Sequence, residues 1–104
     1  MFKARIEVTL KAKILDPQGK AIESSLHNLG FLNVSRVRTG KNIELFVEVA
    51  TLDDAVSAVR LACEKLLANP VTEEYESELF SADGISLARF SSRDKSPRSA
   101  EKAE

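Results

Sequence analysis

The sequence predicts an α+β fold, a four-stranded antiparallel sheet with two helices on one face. Three observations carry this expectation. Residues 2–10 alternate apolar and polar without a break. Two stretches opening at Asp16-Pro17 and at Thr51 repeat apolar residues at helical spacing behind good capping residues. An alternating stretch, 33–49, and a loosely alternating one, 71–80, follow those helices. Alternation marks a half-buried strand and a 3.6-residue repeat marks an amphipathic helix.

In the first strand Phe2, Ala4, Ile6, Val8 and Leu10 point one way, and Lys3, Arg5, Glu7 and Thr9 the other. Asp16 then suits an N-cap, and Pro17 suits the first helical position, where its missing N–H is not needed. Ile22, Leu26 and Leu29 form the expected buried stripe of this helix, and Gly30 stands where a left-handed C-terminal residue is wanted. Residues 33–49 read as a hairpin. Val34–Arg38 is its first arm, and Thr39–Asn42 its turn, with Gly40 supplying a positive φ. In its second arm Ile43, Leu45, Val47 and Val49 face the core, while Asn42, Glu44, Phe46 and Glu48 face out.

Thr51 caps the second helix, with Asp54 at its positive end. Leu52, Val56, Val59, Cys63 and Leu66 share one face, widened by Ala55, Ala62 and Leu67. Asn69-Pro70 ends it. Val71–Phe80 is the last strand. Two strand–helix–strand units joined by a hairpin define a ferredoxin-like βαββαβ arrangement, with expected strand order 4-1-3-2. Lys3 and Arg5 are then expected opposite Glu74, Glu76 or Glu78. Such exposed pairs tune register more than they hold the fold.

The folded unit is expected to span residues 1–80. Residues 81–104 contain six Ser and nine charged residues among 24, with only Ile85, Leu87 and Phe90 able to bury much apolar surface. A segment of that composition reads as a disordered tail. Eighty residues form a small core, for which association with further copies is a common remedy. Two copies are expected to join through their sheet edges into a wider sheet.

Composition narrows the function. Fifteen Lys and Arg against sixteen Asp and Glu give a net charge of −1, which argues against a protein that grips nucleic acid or anionic membrane. One Cys excludes an internal disulfide or a multi-cysteine metal site, and one His excludes a His-pair metal site. There is no long apolar run and no signal-peptide block at the N-terminus, so the cytoplasm is the expected location. Cys63 falls on a buried stripe and reads as an inert hydrophobe. His27 reads as an imidazole favoured by a helix C-terminus. RNA binding on an open sheet face wants aromatics on the central strands. Here Phe46 stands alone between Glu44 and Glu48. What remains is surface for protein contact: Phe46 on a polar face, and the Arg36, Arg38, Lys41 cluster around Gly40, which permits close approach.

Four stretches then occur in a telling order: Leu15-Asp16-Pro17-Gln18-Gly19; Leu26-His27-x-Leu29-Gly30-Phe31; Val37-Arg38-x-Gly40-Lys41 followed by Glu44-Leu45; and Cys63 through Val71. In this the chain resembles the PurS family, the small subunit of phosphoribosylformylglycinamidine synthase, over about residues 2–80. Members commonly stop near Phe80, so the resemblance assigns nothing to the segment beyond it. The resemblance implies a subunit without an active site or cofactor of its own. Its partners would be a synthetase subunit (PurL), which uses ATP and Mg, and a glutaminase subunit (PurQ), which releases ammonia. It also implies a homo-oligomer, a dimer or dimer of dimers, that bridges the two and assists ammonia transfer. Asp16, Gln18, Gly19, Arg38, Gly40 and Lys41 match the family most strongly without an evident core role, and with Phe46 they are the candidate partner contacts. The alternative from another class is an ACT-like regulatory domain of the same topology, binding a small molecule at a dimer interface.

Overall fold

The computed structural model describes residues 1–94. It contains β1 (Phe2–Leu10), α1 (Pro17–Asn28), β2 (Gly40–Val47), α2 (Leu52–Ala62), β3 (Glu73–Phe80) and β4 (Ser86–Ser91), with a π-helical turn, Cys63–Leu67, continuing α2. The sheet is antiparallel throughout, in the order β2-β1-β3-β4.

Three of the four expected strands form where expected, now β1, β2 and β3, and neighbour one another as expected. The fourth strand does not. Val34–Arg38 makes no strand, because Arg36 takes a left-handed φ of 58° in its middle and breaks the extended run. Its polar groups are used elsewhere: the Val37 amide donates to Glu23 Oε1 at 3.3 Å. The edge strand comes instead from the segment expected to be a tail. A turn closes after β3, with Gly84 at φ 87° and the Ser81 amide donating to the Ile85 carbonyl at 2.9 Å. The chain then returns along β3, placing Ala88 opposite Leu79 and Phe90 opposite Ser77. Among the described residues the fold therefore passes the expected boundary at residue 80 and includes β4. Residues 95–104 of the expected tail lie outside those described.

The core lies between the sheet and α2. Ala4, Ile6 and Val8 of β1, Tyr75 and Leu79 of β3, Phe90 of β4, and Ala55, Val59 and Cys63 of the helix and its π turn are all buried. The π turn explains one departure from the expected stripe. Its hydrogen bond from the Ala68 amide reaches back five residues to the Cys63 carbonyl, at 3.0 Å. The wider turn re-phases the helix, so Leu67 packs on the core while Leu66 is 82% exposed.

The helices also differ in placement. Only α2 packs on the sheet; Ile22, Leu26 and Leu29 of α1 do not join the core, and Leu29 is 74% exposed. This corrects the expectation that both helices cover one face. The reason is connectivity. β1 and β2 are adjacent and antiparallel, with Thr9 opposite Gly40, so α1 is an excursion from one end of the sheet and not a crossover above it. On the other face Arg5 stands opposite Glu78 in the β1–β3 register, as expected, and Lys3 opposite Phe80, but the ion pairs of Lys3 and Arg5 run to Glu44, at 3.6 and 4.0 Å. Glu78 is taken by Arg89, and Glu74 and Glu76 by Arg93.

Candidate partner-contact site

Six of the seven candidate contact residues gather where α1 leaves the sheet. Asp16 organises them. It is the N-cap of α1, and its Oδ1 accepts the Gly19 amide at 2.9 Å. Its Oδ2 accepts the Thr39 amide at 2.7 Å and the Thr39 hydroxyl at 2.9 Å. One carboxylate thus caps the helix and ties its root to the strand that follows. The Gly19 amide first, and the Thr39 amide next, hold this carboxyl below the ordinary carboxylate range.

The sign of the resulting pH dependence follows directly. A carboxyl with a depressed folded pKa contributes stability above its unfolded pKa, and that contribution is lost as pH falls through the folded value. Asp16→Asn keeps a capping side chain but removes the charge. Urea midpoints of parent and variant are expected to differ at pH 7 and to converge below roughly pH 4. A gap unchanged from pH 7 to the acid limit would contradict this role for the charge.

Arg38 closes the other side. Its Nη2 donates to the Lys11 and Ile14 carbonyls at 3.0 Å each, and to Leu10 at 3.4 Å. These are the last residues of β1 and the link to α1. Gly40 lies against β1 and does not have a positive φ, as the turn reading required. A Cβ there would stand 2.6 Å from the Val8 carbonyl oxygen, so this glycine serves close strand approach. Gly19 is likewise pressed on the Val37 carbonyl and the Asp16 carboxylate.

Asp16, Gly19, Arg38 and Gly40 therefore build the corner; Asp16 and Gly19 are buried in it, while Gln18, Arg38, Gly40 and Lys41 are exposed. A concavity of about 410 Å³ opens between them, lined by Asp16, Pro17, Gln18, Thr39, Gly40 and Lys41. Phe46 is not part of this cluster. It sits opposite Lys3 at the far end of β2, six residues along an extended strand or about 20 Å away, and is 67% exposed. Thr39, expected to open a hairpin turn, is instead the residue that joins helix root to strand. Its position between two matched residues was the available signal.

The two potentially reactive side chains lie elsewhere. Burial first, and the neighbouring Glu64 carboxylate second, push the Cys63 thiol up to about 11, which leaves it a neutral, enclosed group. His27 donates from Nε2 to the Val34 carbonyl at 2.7 Å, pinning the loop after α1.

Against known proteins, the family model described as PurS, phosphoribosylformylglycinamidine (FGAM) synthase, matches residues 3–81. The chain belongs to the PurS family. The PurS subunit of Bacillus subtilis is 44% identical over 79 residues, which is 76% of this chain and 93% of that one. The solved structure of B. subtilis PurS superposes with a TM-score of 0.70 at 42% identity, covering 78% of this chain and 100% of the other. The structure of PurLQS from Thermotoga maritima contains a chain that superposes at 0.68 with 43% identity, covering 73% of this chain and 93% of that one. All four motif stretches lie inside the PurS match, and so does the whole Asp16–Lys41 corner. β4 lies outside it.

Proposed function

We propose that this chain is the small, non-catalytic subunit of a phosphoribosylformylglycinamidine synthase in purine biosynthesis. The complex converts formylglycinamide ribonucleotide, ATP, glutamine and water to formylglycinamidine ribonucleotide, ADP, phosphate and glutamate. The observation that carries this reading is the continuous PurS match over residues 3–81, with the same fold in a chain of the T. maritima PurLQS structure. The chemistry of the side chains supports a scaffold, since the thiol is enclosed and the imidazole is engaged by backbone. ATP and Mg are handled by the synthetase subunit, and glutamine by the glutaminase subunit. This chain joins the two in the cytoplasm and assists ammonia transfer between them. Among the described residues, no helix is long and apolar enough to cross a membrane.

Self-association belongs to the same reading. Leu29 at the end of α1 is exposed, as are Phe31 and Leu32 beyond it and, to a lesser degree, Ile22, and surfaces of this kind are covered in an assembly. The contact residues are Gln18 and Lys41, exposed on a corner that Asp16, Gly19, Arg38 and Gly40 hold in shape, with Phe46 as a separate apolar contact.

The test is a complex reconstituted with its synthetase and glutaminase subunits. The double variant Gln18→Ala with Lys41→Ala is expected to need about tenfold more small subunit for half-maximal glutamine-dependent activity, a loss of about 1.4 kcal/mol of binding. Its circular dichroism and urea midpoint should not change. An unchanged titration would remove these two residues from the interface, and failure of the parent chain to join the complex would remove the function.

A further inference from the structure

β4 has a use that the PurS match does not supply. The match ends at residue 81, and the B. subtilis PurS structure is covered in full by 78% of this chain. Without β4, the strand order would leave β3 at the sheet edge. Its eight residues pair regularly with β1, so its other side would present a straight row of free N–H and C=O groups, a template for a strand from another molecule.

In this chain that row is occupied from within. β4 pairs with β3 from Glu76–Ser91 to Phe80–Ser86, and the Ser92 amide extends the ladder to the Tyr75 carbonyl at 2.9 Å. The strand is anchored on both faces. Inward, Phe90 is buried, meets the Tyr75 ring edge-on at 6.4 Å between centroids, and carries the Arg60 guanidinium 4.7 Å above its ring. Outward, Arg93 grips Glu74 at 2.8 Å and Glu76 at 3.0 Å. The new edge is a poorer template than the one it hides. It has six residues, a register shift at Leu79/Phe80, and an exposed Arg89. Short, irregular, charged edges resist strand addition.

We propose that β4 is a self-supplied strand that closes the β3 edge to a second copy of this chain, confining association to the molecule's other faces. The proposal concerns an extension outside the PurS match and does not rest on the functional reading above.

Three chains decide it by light scattering at equal concentration: the full chain, a chain ending at Asp94, and one ending at Ala82. The last has about the length of B. subtilis PurS, whose solved structure is covered in full by 78% of this chain. The first two are expected to share one mass. The third is expected to show a mass about twofold higher or more, returned to the starting value by excess peptide of residues 83–94. Equal masses for all three would overturn the proposal. Should the shortest chain precipitate, full-length Phe90→Asp decides, because an unpaired buried carboxylate expels the strand. It should then show the same rise in mass, and an unchanged mass would count against the proposal.

Discussion

Phe90→Ala is expected to destabilise the chain by about 3–5 kcal/mol, the usual cost of truncating a buried aromatic. That is a large share of the roughly 5–15 kcal/mol that holds a domain of this kind together. Three losses combine: the buried ring, its edge contact with Tyr75, and the Arg60 cation above it. No other residue of β4 is buried to a similar degree, so the substitution also asks whether this strand belongs to the cooperative unit. Urea unfolding is the measurement, with midpoint and slope both recorded. A lowered midpoint with an unchanged slope reports lost stability of one unit. A loss below about 1 kcal/mol, a typical cost for a substitution anywhere, would show that β4 contributes little and that the fold closes at β3.

Gly19→Ala carries the second large effect, and its sign is the informative part. Alanine is better than glycine inside a helix by about 1 kcal/mol, and Gly19 lies in the first turn of α1. Propensity alone therefore predicts a gain. The structure predicts a loss. A methyl group at this position runs into the Val37 carbonyl and comes within 2.9 Å of the Asp16 carboxylate. The first of these is backbone and cannot rotate away. Overpacking costs about 1–3 kcal/mol, and here it also pushes apart the groups that Asp16 joins. The expected outcome is a lower urea midpoint and weaker assembly with the partner subunits. A stabilised variant would mean that the helix root has room to move and that the corner is not held as described.

How much of this was legible in the sequence differs by element, for physical reasons. β1, β2, β3 and both helix starts were readable because alternation and caps are local signals, and tertiary packing agrees with them. The direction in which α1 points was not. A stripe at Ile22, Leu26 and Leu29 says that a helix has an apolar side, but not what meets it. β4 was hidden by its serines and charges, although Asp83-Gly84 is a turn pair and the residues after it alternate. Val34–Arg38 deceived in the opposite sense, since five residues are too few to reveal a left-handed backbone at Arg36. The π turn left no mark in a stripe that continued smoothly through Cys63 to Leu66. At the corner, the motif matches named residues that the fold brings together, but spacing does not show what those residues hold within the chain. That Arg38 closes on carbonyls 24 to 28 residues earlier in the chain is a fact of three dimensions. Its guanidinium braces the molecule's own backbone.

The one-ended mounting of α1 has a mechanical side. Toward its root the helix is bolted down by Asp16 and Thr39, with a longer bond from the Val37 amide to Glu23 midway, whereas the hydrogen bonds beyond Ser25 run to its own loop at Leu29, Gly30, Phe31 and Val34. Twelve residues make a rod of about 18 Å, so a swing of about 10° at the pivot displaces the tip by about 3 Å. A tug on the outer end would be felt first at the bolt, between the end of one strand and the beginning of its neighbour, and a change in how those two strands splay would be magnified at the tip.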